Sequence, residues 1–213
     1  MTDQTPDAYG GIARFYDRVI EPLNAPLRRA AIDLLNPEPS ASVLDVGCGT
    51  GGLVEALVDA GAEVAGIDLS ESMLSIAQDR VGDRANLQHG DATNLPFPDD
   101  HFDAVTASLF LHELDPHTRE AAISEMSRVA KPDGSIALID YRIGSLRIKG
   151  RFLRAISTVA ERMAGSEHHT NWRTYMGNGG MPSVLGDLGL AIDREKITAG
   201  GNLAIWIVSG PSR

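Results

Sequence analysis

What the chain has least of is cysteine: Cys48 is the only one among 213 residues. No intramolecular disulfide can form, which excludes a disulfide-stapled secreted fold, and no cluster of histidine and cysteine stands at metal-ligand spacing. Lysine is scarce as well, since Lys131, Lys149 and Lys196 stand against 16 arginines. Acidic residues outnumber basic ones 29 to 19, and the formal charge of −10 disfavours a surface built to track a nucleic-acid backbone. Long apolar runs are missing too, for no window approaches the ~18 apolar residues of a membrane span. Met1 to Gly10 is polar and acidic, without the basic start and apolar stretch of a secretory signal. These absences lead to the expectation of a cytoplasmic protein with no metal and no nucleic-acid partner.

What is present is an ordinary globular composition, 43% hydrophobic and 23% charged, in a chain long enough to bury one core. Short β-branched or apolar runs alternate with longer segments whose apolar residues recur at helical spacing, the pattern of crossover units on a parallel sheet. The runs predict strands at Ser42–Val46, Glu63–Asp68, Asn86–His89, Phe102–Leu109 and Ser135–Asp140. Helices are predicted at about Gly51–Ala60, Ser70–Val81 and Pro116–Val129. Pro132-Asp133-Gly134 predicts a tight turn before the fifth strand, and Leu190–Thr198 with Leu203–Ser209 reads as a hairpin across a short Gly-rich loop. The expected fold is α/β, a mostly parallel seven-stranded sheet with a C-terminal antiparallel hairpin. Gly165–Pro182, weak in period, is expected to be a long loop.

The sharpest feature is Val43-Leu44-Asp45-Val46-Gly47-Cys48-Gly49-Thr50-Gly51-Gly52, an apolar strand running into a Gly-rich turn and then a helix. Gly47, Gly49 and Gly52 satisfy the dinucleotide pattern G-x-G-x-x-G, and Asp68 lies where a ribose-binding acid would. The loop alone therefore fits two cofactors. Asp45 separates them: a carboxylate at the end of an apolar strand repels a pyrophosphate and favours a cation. S-adenosyl-L-methionine carries an ammonium and a sulfonium and no phosphate.

At this point the chain resembles the class I S-adenosylmethionine-dependent methyltransferases, whose first motif, an acid followed by Gly-x-Gly-x-Gly, is filled by Asp45, Gly47, Gly49 and Gly51. Gly66-Ile67-Asp68-Leu69-Ser70 resembles the second motif, whose acid takes the ribose hydroxyls. Gly90-Asp91-Ala92 resembles the loop that reads the adenine edge. The resemblance implies a Rossmann-like sheet with helices on both faces and S-adenosyl-L-methionine as cofactor. It places Leu69 and Met73 against the adenine, Cys48 beside the ligand as a small packing residue, and Leu109 at the cofactor-facing end of the fourth strand. Asp68 and Asp91 also read as helix or turn caps. Within the class a peripheral phospholipid or quinone methyltransferase is the alternative, and from other classes a nicotinamide-dependent oxidoreductase and a non-catalytic cofactor-binding module remain.

A methyl group on a sulfonium is already activated, so the main demand is orientation of the acceptor, and a base is needed only if the acceptor starts protonated. His112, in Leu109-Phe110-Leu111-His112-Glu113-Leu114, is the candidate base, with a structural hydrogen-bonding role as its alternative. Ser108-Leu109-Phe110-Leu111 stands where DNA amino-methyltransferases carry Asn/Asp-Pro-Pro-Tyr/Phe, and a single thiol excludes the multi-thiol arsenite site.

Residues 1–40 are expected to form a helical lid, in which Tyr9, Arg14, Phe15, Tyr16 and Asp17 resemble the cover of ubiquinone/menaquinone-type methyltransferases, Tyr16 being the best lid candidate. Residues 41–140 form the cofactor-binding core, 141–189 a basic helix and substrate loop, and 190–213 the hairpin. Arg142, Arg147, Lys149, Arg151, Arg154 and Arg162 oppose only Glu161, and the apolar residues among them recur at helical intervals. The segment reads either as a solvated face or as a weak membrane-surface contact. The loop with His168, His169, Trp172, Tyr175 and Met176 is expected to close over the acceptor, a small or lipid-like molecule.

Overall fold

The structure is a computed structural model that describes residues 13–148, 150–151, 153–154, 158 and 166–209; of Phe15, Tyr16, Val19 and residues 166–168 it describes the backbone alone. Seven strands form one sheet: β1 (Ser42–Val46), β2 (Glu63–Asp68), β3 (Ala85–His89), β4 (Phe102–Ser108), β5 (Ala130–Tyr141), β6 (Ile192–Thr198) and β7 (Leu203–Ser209). Their order is β3-β2-β1-β4-β5-β7-β6, with β1 to β5 parallel and β7 antiparallel to both β5 and β6. The expected parallel sheet closed by an antiparallel hairpin is what forms. Because the order reverses between β1 and β4, a crevice opens at the carboxyl ends of these strands, where ligands bind in open α/β sheets.

Seven α-helices are described: α1 (Ala13–Phe15), α2 (Ala25–Leu35), α3 (Gly52–Asp59), α4 (Glu71–Val81), α5 (Pro116–Val129), α6 (Ser166–Gly177) and α7 (Met181–Asp187). They cover both faces of the sheet. On one face Leu44, Val46, Val105, Ala107, Ile136 and Leu138 pack under Ile123 and Met126 of α5. On the other, Val43, Ala104, Ala137 and Ile139 meet Leu27 and Leu35 of α2 and Leu53 and Leu57 of α3. Successive side chains of a strand point to opposite faces, so strands buried on both sides read as continuous apolar runs. The starts of the helices follow local chemistry. Ser70 accepts from the Met73 amide at the head of α4, and Asp115 accepts from the His117 and Thr118 amides at the head of α5, with Pro116 at its first position.

Two expectations are corrected. The long loop expected over Gly165–Pro182 holds α6 and the start of α7. Its period is weak because α6 buries chiefly Trp172 and Tyr175 and exposes polar residues elsewhere, while Gly179 and Gly180, both at positive φ, separate the two helices. The tight turn at Pro132-Asp133-Gly134 lies within β5 instead of before it. Phe102 pairs with Ala130 and Ala104 with Ser135, so residues 131–134 are accommodated as an irregularity in the ladder.

Candidate site at the carboxyl ends of the strands

The glycine loop leaves β1 with Gly47, Gly49 and Gly51 all at positive φ (67, 53 and 78°), a conformation that a side chain opposes. The Gly47 and Cys48 amides both donate to the Ile67 carbonyl, at 2.8 and 3.0 Å, which ties the loop to the end of β2. A Cβ at Gly47 would collide with the Phe110 ring at 2.6 Å, whereas a Cβ at Gly49 would meet none of the described residues within 4 Å. Gly47 is therefore needed for packing, and Gly49 faces space open among the described residues.

Asp45 is buried, and the Thr106 hydroxyl donates to its Oδ1 at 2.6 Å. Burial pushes its carboxyl up from 3.8 to about 7, against the hydrogen bond from Thr106; the nearby charges of Asp68 and Glu21 push in the same direction as burial. A cation beside Asp45 would relieve this cost. Asp68, half-buried, accepts from the Gly49 amide at 2.7 Å through Oδ2 and from the Ser70 amide at 2.8 Å through Oδ1. It links the glycine loop to Ser70, the residue that caps α4.

The other sequence candidates fall around the same crevice. Met73 is buried, and Leu69 is 56% exposed at the mouth of β2. Cys48 is buried with its thiol pushed well up, first by burial and then by the charge of Asp45. Asp91 is exposed and its Oδ1 accepts from both the amide and the hydroxyl of Thr93 at 2.8 Å, an Asx turn, with Ala92 half-buried beside it. Leu109 holds a φ of 59°, a strained value for a non-glycine residue, at the end of β4.

His112 lies in a 3₁₀ turn after β4 and is buried. Its Nδ1 is 2.6 Å from Oδ1 of Asp140, while its own amide donates to Asp140 Oδ2 at 3.1 Å. Asp140 is the penultimate residue of β5 and is fully buried. Aromatic rings enclose the pair: Tyr141 lies edge-on to the imidazole at 4.7 Å, and Trp172 lies edge-on to Tyr141 at 5.9 Å. The Tyr175 hydroxyl donates to the Tyr141 carbonyl at 3.1 Å and accepts from the Met181 amide at 3.0 Å. Of the residues expected to close over the acceptor, Trp172 and Tyr175 thus pack beside His112. The indole N–H of Trp172 is buried there without a hydrogen-bond partner among the described residues.

Residues 13–24 run alongside the glycine loop. Arg80 of α4 donates to the Thr50 carbonyl at 2.8 Å and to Glu55 Oε2 at 3.1 Å, and also pairs with Asp17. The buried Glu21 pairs with Arg28 at 2.5 Å, and its Oε1 fills the space where a Cβ of Gly52 would stand. Tyr16 opens the turn Tyr16–Ile20, but its side chain lies outside the described residues, as do Tyr9, Lys149 and Arg162. The basic segment is divided. Arg147, Ile148 and Arg151 are exposed, whereas Arg154 turns inward to the Asn202 side chain and the Arg142 carbonyl.

Sequence reasoning missed Thr106, Phe110, Asp140, Arg80 and Glu21. Asp140 carried a usable signal, an acid closing an apolar strand as Asp45 does. Among the described residues no group of three or more His, Cys, Asp or Glu could hold a metal, and no helix is long and apolar enough to cross a membrane.

Comparison with known proteins adds three findings. Residues 43–134 match the family described as a methyltransferase domain. The chain is 35% identical over 143 residues to the ubiquinone/menaquinone biosynthesis C-methyltransferase UbiE of Burkholderia mallei, a match covering 62% of this chain and 58% of that protein. The chain thus spans little more than half the length of the curated relatives it matches. Among solved structures, an S-adenosylmethionine-dependent methyltransferase from Aquifex aeolicus superposes with a TM-score of 0.67 at 20% identity, covering 93% of this chain and 98% of that one. A chain of the complex between the Haloferax volcanii Trm112 methyltransferase activator and its methyltransferase superposes with a TM-score of 0.72 at 19% identity, covering 97% and 99%.

Proposed function

We infer, from a chain whose core is a methyltransferase domain of the class I S-adenosylmethionine-dependent family, that it transfers a methyl group to a small, quinone-like acceptor. The observation that carries this reading is Asp45, a buried carboxylate with a raised pKa beside a glycine loop whose Gly49 faces space open among the described residues. Those residues fit a cationic, phosphate-free ligand. When bound, S-adenosyl-L-methionine supplies a methyl group activated on a sulfonium.

The chain's own residues then have distinct tasks. Asp45 would hold the ammonium group. Asp68 would offer its carboxylate to the ribose, Asp91 and Ala92 would meet the adenine edge, and Leu69 and Met73 would wall the ring. Gly47, Cys48, Gly49, Gly51 and Leu109 form the loop and strand end that would line the ligand, and Tyr16 would cover it. His112 is oriented by Asp140: with Nδ1–H donating to the aspartate, Nε2 is the nitrogen that accepts a proton from an acceptor hydroxyl or activated carbon. Trp172 and Tyr141, packed edge to face, give that side of the crevice an aromatic, apolar lining. The exposed trio Arg147, Ile148 and Arg151 makes a weak contact with an anionic lipid surface, where a quinone-like acceptor would reside.

Calorimetric titration with S-adenosylmethionine, S-adenosylhomocysteine and NAD tests the cofactor assignment. The two sulfur compounds should bind and NAD should not; binding of NAD alone overturns the reading. Methyl transfer to a panel of phenols, hydroquinones and amines then tests the acceptor class. Turnover confined to amines would reject a quinone-like acceptor.

A further inference from the structure

Gly52 completes the G-x-G-x-x-G pattern, and in dinucleotide-binding loops that third glycine lets the helix pack closely on the strand. Here its missing side chain serves another purpose. An added Cβ would lie 1.5 Å from Glu21 Oε1 and 3.0 Å from Arg28 Nη1, so the vacated space is filled by a carboxylate from the N-terminal segment. Glu21 is 8% exposed, and Arg28 both pairs with its carboxylate at 2.5 Å and donates to its carbonyl at 3.0 Å. Gly52 begins α3, an eight-residue helix, and a helix amino end of this kind is where anions are held. The Glu21 carboxylate lies against Gly52 at that end, held by Arg28, and burial raises its pKa against the pull of Arg28.

We propose that Glu21 is a specificity-determining residue of the cofactor site, whose carboxylate occupies the amino end of α3 and neutralises Arg28, so that the glycine loop rejects pyrophosphate and retains a phosphate-free cationic ligand. The proposal rests on the cofactor reading above but is tested apart from it. Two consequences follow from the geometry. Without the carboxylate, the head of α3 and the Arg28 guanidinium, which can make bidentate contacts to phosphate, face the same space. The charge of Glu21 also raises the Asp45 pKa, so removing it leaves Asp45 more fully ionised, which offsets the loss of the second carboxylate in holding an ammonium group.

The probes are S-adenosylhomocysteine and ADP-ribose, which share an adenosine and differ in the pyrophosphate, titrated calorimetrically into wild type, Glu21→Gln, Glu21→Ala and Gly52→Ala. Gly52→Ala fills the same space with a methyl group while Glu21 keeps its charge, so it is the control, and because Gly52 is not among the positive-φ glycines its backbone tolerates alanine. Glu21→Gln and Glu21→Ala should each gain about tenfold or more in ADP-ribose affinity, with S-adenosylhomocysteine affinity changed by less than about threefold, and Gly52→Ala should gain nothing. Adding Arg28→Gln to Glu21→Gln should remove the gain. Melting curves establish that each variant is folded, and if one Glu21 variant fails to fold the other decides. Unchanged ADP-ribose affinity in the folded Glu21 variants overturns the proposal. Failure of wild type to bind S-adenosylhomocysteine would instead count against the cofactor reading, and the ADP-ribose gain would still be read.

Discussion

Asp45 on β1 and Thr106 on β4 are register partners in the parallel ladder, and the threonine hydroxyl donates to the buried aspartate at 2.6 Å. One neutral donor does not offset the burial of a carboxylate, so the group titrates near 7 instead of 3.8. Between those values the unfolded chain has released a proton that the folded chain keeps. Asp45 therefore lowers stability as pH rises from about 4 to about 7, with no further change above that range. Asp45→Asn removes this cost. Unliganded Asp45→Asn should be more stable than wild type at pH ~8, by on the order of 1–3 kcal/mol, with the difference shrinking towards pH ~4. Denaturant melts at the two pH values check it.

The same residue links cofactor binding to protons. A cation favours ionised Asp45, so binding at neutral pH should release part of a proton, and affinity should rise as pH increases through about 7. Titration in buffers of different ionisation enthalpy measures the release. Asp45→Asn should abolish it and weaken S-adenosylhomocysteine binding by about 10- to 100-fold. A more stable protein that binds worse is the pattern expected of a residue kept for function.

The His112–Asp140 pair makes a separate prediction. Asp140→Asn keeps the shape but can present its amide N–H₂ to Nδ1, which favours the tautomer that carries the proton on Nε2 and so cannot accept one there. Both Asp140→Asn and His112→Gln should lower kcat by about 10²- to 10⁴-fold with cofactor affinity little changed, and the acidic limb of the pH–kcat profile should disappear in His112→Gln. Loss of stability with unchanged kcat in the folded fraction would make the pair purely structural.

The sheet was legible in the sequence because Val43 to Val46, Ala104 to Ala107 and Ile136 to Ile139 are buried on both faces and so stand out as apolar runs. Asp45 was legible for the opposite reason, as a charge that such a run does not tolerate without cause. Asp140 breaks its run in the same way, but its significance comes from His112, 28 residues away, and their meeting depends on β5 lying beside β4. Glu21 was hidden because nothing local marks a glutamate that fills a gap in another helix. Helix α6 was hidden because its buried face is made by Trp172 and Tyr175 amid polar residues, a composition shared with loops.

The arginines of the basic segment divide by environment, and their predicted effects divide with them. Arg154 binds the Asn202 side chain and the Arg142 carbonyl, which fastens the segment to the β6–β7 connection, and partial burial lowers its pKa. Arg154→Met should cost about 1–3 kcal/mol of stability, read by denaturant melts, because it leaves those acceptors without their donor. It should leave vesicle binding unchanged. Arg147 and Arg151 flank Ile148, which is 88% exposed, so Arg147→Glu with Arg151→Glu should abolish co-sedimentation with anionic vesicles and change stability by less than about 0.5 kcal/mol. Ile148→Asp should weaken binding to the same vesicles, since an inserted apolar side chain adds to the electrostatic attraction. Binding that is equal for anionic and neutral vesicles, or that survives the double charge reversal, would show that these arginines form only a solvated face.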